Sequence, residues 1–165
     1  MTTNIWQDRV DQRNPAHASP DKLGERRPSP VILLLEDEMN DAWLFQEALS
    51  ELAGLVEVQV VESIPEGCAY LEGTGQFQDR QRFPMPNLIV SDFKLGNRTG
   101  GEFFQWVRAR PAFNEIIFVF LSGSALPREQ DAAMRDGADG FFGKTTDWEL
   151  MKDHVTKILQ YLPRR

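Results

Sequence analysis

The chain is predicted to fold as an α/β domain: a doubly wound sheet of five parallel strands in the order 2-1-3-4-5, with helices on both faces. Three observations predict this. The runs Val31-Ile32-Leu33-Leu34-Leu35, Leu88-Ile89-Val90 and Ile116-Ile117-Phe118-Val119-Phe120-Leu121 are continuously apolar, with no polar alternation. Strands read this way when both faces are buried, as in a parallel sheet covered by helices. Segments of helical period alternate with these runs, the pattern of repeated strand–helix units. Polar residues able to do chemistry stand at the ends of the runs rather than inside them.

The elements follow in order. Residues 1–29 form a polar leader with Pro15, Pro20 and Pro28 and no apolar period, too poor in apolar surface to order itself alone. The domain is expected over 30–165. After the first strand, Asn40 is a candidate cap for a helix through Leu52, with Ala42, Phe45, Leu49 and Leu52 as its apolar stripe and Gly54 as a left-handed stop. Val56–Val60 alternates, as an edge strand does. Ser63-Ile64-Pro65-Glu66 reads as a capping box with an early proline, opening a short helix through Leu71. Cys68 is expected to fill a small buried position on it. Residues 73–86 read as a long loop carrying Phe77 and Phe83.

A third helix is expected from Gly101 to Arg110, with Phe103, Phe104, Trp106 and Val107 available for the core. Pro127 can start a fourth, which Gly137 stops. Asp139–Lys144 reads as the fifth strand. Thr146-Asp147-Trp148-Glu149 is a second capping box opening the last helix, with apolar positions at 148, 151, 155, 158, 159 and 162. His154 on that helix, like His17 in the leader, needs no chemical role.

The strand ends carry the chemistry. Glu36-Asp37 closes the first run, Asp92 the third, Ser122 the fourth and Lys144 the fifth. In an open parallel sheet, carboxyl ends of neighbouring strands line one crevice, where such folds place their ligands. Three carboxylates cannot all stay ionised at close range without a counter-charge. A divalent cation is the simplest one, and Mg²⁺ takes few carboxylates together with waters and phosphate oxygens. Acid pair, acid, hydroxyl and ammonium in that order make a site for a metal and for a phosphoryl group carried by Asp92.

At these residues the chain resembles the receiver domain of two-component response regulators, the CheY-like family with its flavodoxin-like fold. The likeness runs from about Pro30 to Leu162. The spacing from 92 to 122 to 144 is similar to the family's spacing from acceptor aspartate to hydroxyl to lysine, and Gly100-Gly101 falls where the family has a glycine after the phosphorylation loop. The resemblance implies that Asp92 accepts the phosphoryl group. Asp37 and the backbone carbonyl of Lys94 would bind Mg²⁺ or Mn²⁺ with it, and Glu36 would hold the ion's waters. Ser122 would hydrogen-bond the phosphoryl group and Lys144 would pair with it. Phe141 falls at the aromatic switch position. The chain departs from the family at Thr145, where proline usually follows the lysine, at Lys94, where uncharged side chains are common, and at Phe141, which replaces a frequent tyrosine. With Thr at 145 the preceding peptide is expected to be trans.

The resemblance further implies a histidine kinase or histidine phosphotransfer protein as partner, and a homodimer or partner surface made by the fourth helix, fifth strand and fifth helix, with Trp148, Met151 and Val155 near it. The loop at 73–86 and the run Glu36-Asp37-Glu38-Met39-Asn40-Asp41-Ala42 look like those of single-domain regulators that work with bacteriophytochrome-type histidine kinases. Only a few residues follow the last helix, so no output domain is expected.

Composition narrows the classes. The 165 residues suit one domain, and 41% hydrophobic residues suffice for one core. A net charge of −7 argues against a nucleic-acid-binding face. The single cysteine excludes an intramolecular disulfide and fits a reducing compartment, so a cytoplasmic location without membrane insertion is expected. Three other readings compete. A haloacid-dehalogenase-type phosphatase needs a second acid two residues after its nucleophile, where this chain has Lys94. A flavin carrier needs a phosphate loop after strand one, where Glu36-Asp37-Glu38 would repel phosphate. A receiver serving as a phosphorylation-independent scaffold would not need a full acid–hydroxyl–lysine set.

Overall fold

The computed structural model describes residues 29–52, 55–124 and 126–162. The predicted leader, its last residue Ser29 excepted, and the Gly54 stop lie outside them. The chain runs β1 (Val31–Leu35), α1 (Met39–Leu52), β2 (Glu57–Val61), α2 (Ile64–Glu72), a 3₁₀ turn (Gly75–Phe77), β3 (Leu88–Ser91), a two-residue hairpin (Lys94–Leu95 with Arg98–Thr99), α3 (Gly100–Arg108), β4 (Ile117–Ser122), α4 (Pro127–Arg135), β5 (Gly140–Gly143) and α5 (Trp148–Leu159). All pairings in the main sheet are parallel, in the order β2-β1-β3-β4-β5. The predicted topology is the observed one.

The continuous apolar runs behave as expected. Every residue of β1 is buried, and alternate residues serve opposite faces. Leu33, Leu35, Ile89, Phe118 and Phe120 face α2, α3 and α4 in one core. Ile32, Leu34, Leu88, Val90, Val119 and Leu121 face α1 and α5 in the other. The first core is aromatic. Phe104 meets Phe118 and Phe120 at ring-centroid distances of 5.1 and 5.8 Å, and Phe118 meets Phe120 at 5.0 Å.

Several predicted boundaries are corrected. Helix α1 starts at Met39, so Asn40 lies inside it rather than capping it, and the carbonyl of Glu38 accepts from the amides of Asp41 and Ala42. Leu52 is exposed, and Ala48 takes its place in the buried stripe beside Ala42, Phe45 and Leu49. Strand β2 is shifted one residue later than predicted, though it is the edge strand expected. Ser63 does cap α2, but Glu66 reaches back to the amide of Glu62 rather than to that of Ser63. The cap of α5 is Asp147, whose carboxylate accepts from the Leu150 amide; Thr145, not Thr146, accepts from the Asp147 amide. Cys68 is only half buried.

The 73–86 segment is a packed unit. Arg80 donates to the carbonyls of Tyr70, Leu71 and Phe83, so one guanidinium satisfies the open C-terminal end of α2 and fastens the loop to it. The Tyr70 hydroxyl donates to the Pro84 carbonyl at 2.7 Å. Tyr70, Phe77 and Phe83 form a three-ring cluster. Gly73 closes α2 with φ +67°, a left-handed conformation suited to glycine. No helix among the described residues is long and apolar enough to cross a membrane.

Candidate functional site: an acid–lysine crevice at the carboxyl edge of the sheet

Strand register builds the site. Leu35 of β1 pairs with Ser91 of β3, so Glu36 and Asp92 leave the sheet side by side. The amide of Glu36 donates to the Val61 carbonyl and that of Asp92 to the Leu35 carbonyl, which fixes both residues as extensions of the sheet. Ser122 pairs with Gly143, and the Lys144 amide donates to the Ser122 carbonyl at 2.7 Å. Hydroxyl and lysine are thereby held at adjacent strand ends. The peptide after Lys144 is among those described, and none of these is cis.

The side chains converge. Lys144 Nζ lies 2.7 Å from Glu36 Oε2, 2.7 Å from Asp92 Oδ2 and 2.8 Å from Asp41 Oδ2. Asp92 Oδ1 accepts from the Lys94 amide at 3.0 Å, and Glu36 Oε1 from the Glu38 amide at 3.1 Å. Glu36 and Asp92 are buried, at 2% and 5% exposure, while Asp37 is exposed. Burial pushes the Glu36 carboxyl up to about 7, even though Lys144 pulls it down. Burial alone would lower the Lys144 ammonium, but the hydrogen bonds it donates to Asp41, Asp92 and Glu36 outweigh this and hold it well above the ordinary lysine range.

Glu36, Asp37 and Asp92 each offer a carboxylate oxygen, and these lie within 4.8 Å of one another. An all-oxygen set with two buried acids suits a hard divalent cation such as Mg²⁺ or Mn²⁺, not the softer metals that prefer thiolate or imidazole. The residues present fit such an ion. A proton on Glu36, favoured by its burial, would compete with it, since a carboxylate holds a cation or its waters in the ionised form. Cation affinity is therefore expected to weaken as pH falls from 8 to 6 through the Glu36 value near 7, by up to about tenfold per pH unit. Mn²⁺ binding followed by electron paramagnetic resonance at both pH values checks this, and Glu36→Gln should flatten the dependence.

The backbone leaving Asp92 is equally constrained. The hairpin Lys94–Leu95 with Arg98–Thr99 turns the chain at Gly96, whose φ is +57°. Gly100 then packs against Asp92. A Cβ at position 100 would lie 2.1 Å from the Asp92 carbonyl oxygen and 2.9 Å from Ser91 Oγ. Gly100→Ala is therefore expected to cost about 2–3 kcal/mol by overpacking, read as a lowered denaturant midpoint. A wild-type midpoint would show that α3 does not begin against Asp92.

Ser122 and Phe141 lie beside the acids rather than among them. The buried Ser122 hydroxyl donates to the Ser124 carbonyl at 3.1 Å and accepts from the Ser124 amide at 3.3 Å. Ser124 Oγ in turn donates to Glu129 of α4 at 2.7 Å. Phe141 is half buried, its ring 5.8 Å from Phe93 and 6.0 Å from Phe120. Sequence reasoning missed Asp41, Ser124, Glu129 and Phe93. Asp41 carried a usable signal: it stands four residues after Asp37, in the first turn of a helix that begins at the site.

No family model matches the chain. A curated relative, response regulator Rcp1 of Synechocystis sp., is 31% identical over 100 residues, covering 61% of this chain and 66% of the relative. Among solved structures, the phosphorylated cyanobacterial phytochrome response regulator RcpA superposes with TM-score 0.72 at 25% identity, over 81% of this chain and 94% of that one. The chain belongs to the response-regulator receiver family. The Mn²⁺-bound form of Rcp1 is similar too, with TM-score 0.70 and 25% identity over 82% of this chain and 99% of that one. In this receiver, the three acids, the buried serine and the lysine lie where the sheet opens, and the donor set fits the kind of ion that the neighbour's crystals hold.

Proposed function

We propose that this receiver takes a phosphoryl group onto Asp92 from the phosphohistidine of a kinase or phosphotransfer partner and signals through a changed protein-binding surface. The observation that carries the reading is the position of the Asp92 carboxylate: buried at a strand end, one oxygen on a backbone amide, the other 2.7 Å from Lys144. Asp37, Asp92 and the Lys94 carbonyl would hold a Mg²⁺ or Mn²⁺ ion, with Glu36 on its waters. When bound, that ion supplies positive charge to the phosphoryl oxygens. An Asp92 oxygen attacks phosphorus, the P–N bond to the partner's imidazole breaks, and an acyl phosphate forms. Lys144 neutralises charge on the transferring group. Phosphoryl transfer asks a protein mainly for such positioning and charge.

The acyl phosphate adds roughly two negative charges and new acceptor oxygens. Ser122, whose hydroxyl is bonded to Ser124 in the resting arrangement, gains a stronger acceptor there. Its move releases the Ser124–Glu129 link and shifts the start of α4. The face of α4, β5 and α5 then differs between the two states, and a partner or a second copy binds one of them more tightly. On this reading the protein is a cytoplasmic single-domain regulator, not a conventional enzyme, and neither nucleic acid nor membrane takes part. Lys94 stands two residues after Asp92, where a phosphatase of the aspartyl-phosphate type needs a general acid. Intact mass after incubation with acetyl phosphate tests the proposal. One phosphoryl adduct is expected with Mg²⁺ and none with EDTA. No adduct from acetyl phosphate, and no complex with beryllofluoride, would sink it.

A further inference from the structure

The ammonium of Lys144 has three protons and three carboxylate partners, Glu36, Asp92 and Asp41, at 2.7, 2.7 and 2.8 Å. The three acids are not equivalent. Glu36 and Asp92 belong to the group whose oxygens converge within 4.8 Å as a cation site; Asp41 does not. Glu36 and Asp92 are buried, whereas the Asp41 side chain is 37% exposed, on the rim and in the first turn of α1. A divalent cation among Glu36, Asp37 and Asp92 competes with Lys144 for two of its three partners. It also repels the ammonium, because like charges a few ångströms apart in a partly buried site interact strongly. Asp41 is then the one partner left to Lys144 that has no second task.

We infer that Asp41 is a positioning residue for phosphoryl transfer, holding Lys144 at the phosphoryl side of Asp92 once a cation has drawn Glu36 and Asp92 to itself. The inference rests on the proposed acceptor role of Asp92. Asp41 needs no contact with the phosphoryl group; it acts through the ammonium. A carboxylate at this point also offsets the repulsion between cation and lysine. Loss of a positioning contact at a reacting group costs rate well beyond the stability it contributes.

The test uses the full chain as wild type, Asp41→Asn, Asp41→Glu, Lys144→Met and the double variant Asp41→Asn/Lys144→Met. Phosphorylation by acetyl phosphate is followed by intact mass at saturating Mg²⁺. Asp41→Asn should be slower by roughly tenfold, Asp41→Glu should recover part of that, and the double variant should be no slower than Lys144→Met alone. Asp41→Asn at the wild-type rate or faster would overturn the inference. So would a further tenfold loss in the Lys144→Met background, which would mean that Asp41 does not act through the lysine. A second readout does not need phosphorylation: the rate at which an amine-acylating reagent modifies Lys144 at fixed pH with Mg²⁺ present, mapped by peptide mass. Lys144 should be modified several-fold faster in Asp41→Asn. If wild type takes up no phosphoryl group and forms no complex with beryllofluoride, the acceptor reading falls and this labelling alone decides the positioning. Faster labelling upholds it and equal labelling overturns it.

Discussion

Asp92→Asn should take up no phosphoryl group from acetyl phosphate under conditions in which the wild-type chain gains one, and should melt no lower than wild type. The first half follows from chemistry: an amide oxygen is not the nucleophile that an ionised carboxylate is. The second half follows from the site's charge. Glu36, Asp41 and Asp92 surround one ammonium, and a carboxylate oxygen of Asp37 lies within 4.8 Å of oxygens of Glu36 and Asp92. Removing one carboxylate relieves repulsion between buried acids, while Lys144 keeps Glu36 and Asp41. The single amide oxygen can accept from the Lys94 amide, as Asp92 Oδ1 does at 3.0 Å, or from Lys144, as Asp92 Oδ2 does at 2.7 Å, but not from both, so one of these bonds is lost. The expected change in stability is within about 1 kcal/mol and in the stabilising direction. Mn²⁺ affinity should fall, because one of three converging oxygens is lost. An adduct of full stoichiometry on the variant would move the acceptor elsewhere. A collapsed melt with no adduct would instead show that Asp92 holds the fold, and loss of phosphorylation would then say nothing about chemistry.

The sheet was legible because burial on both faces leaves an unambiguous mark: Val31–Leu35 and Leu88–Val90 have no polar residue to confuse with an exposed face. The strand-end chemistry was legible for a related reason. In a parallel sheet, position along the sequence converts directly into position along one edge, so Glu36, Asp92, Ser122 and Lys144 could be placed together before any distance was known. What depended on local hydrogen bonding was not legible. Asn40 and Thr146 are both good caps by residue type, yet the helices start at Met39 and Trp148, where the Glu38 carbonyl accepts from the first turn of α1 and the Asp147 carboxylate caps α5. Leu52 satisfies the helical period of α1 but lies past the edge of the core, and period alone cannot show where a core ends. Asp41 escaped notice because a capping Asn40 makes it an ordinary acid at a helix start. Only in three dimensions does the Lys144 side chain, leaving the end of β5, reach the first turn of α1 and meet it. The tethering of the 73–86 loop by Arg80 likewise needs carbonyl positions that composition does not reveal.

Lys144→Met separates the two duties of the lysine, and large effects on both are expected. In the resting site the ammonium is the counter-charge for two buried carboxylates, and it is itself only 11% exposed. Removing one member of a buried, hydrogen-bonded charge set costs about 3–5 kcal/mol when the partner must stay ionised. Glu36 has an escape. Its carboxyl already sits near 7 with Lys144 pulling it down, so without the lysine it moves higher and stays protonated at neutral pH. Protonation limits the loss to about 2–3 kcal/mol near pH 6. The sign of the pH dependence follows. A carboxyl raised above its unfolded value of 4.5 contributes stability that is complete below 4.5 and is lost as pH rises through about 7 and beyond. The variant should therefore lose stability from pH 6 to pH 8 more steeply than wild type. Mg²⁺ should restore much of it, because an ion held by Glu36, Asp37 and Asp92 would supply positive charge to the same two buried carboxylates. Thermal melts at both pH values, with and without Mg²⁺, read all three effects. Phosphorylation should be slower by roughly 10²–10³, the usual cost of removing one preorganised group that stabilises transition-state charge. Mg²⁺ should not repair this, since on the proposed reading Lys144 would pair with the phosphoryl group itself, a contact that an ion held by Glu36, Asp37 and Asp92 would not replace. A variant whose melt recovers with Mg²⁺ while its rate does not would assign Lys144 a role in transfer beyond its counter-charge. Recovery of both would reduce the lysine to a placeholder for the cation.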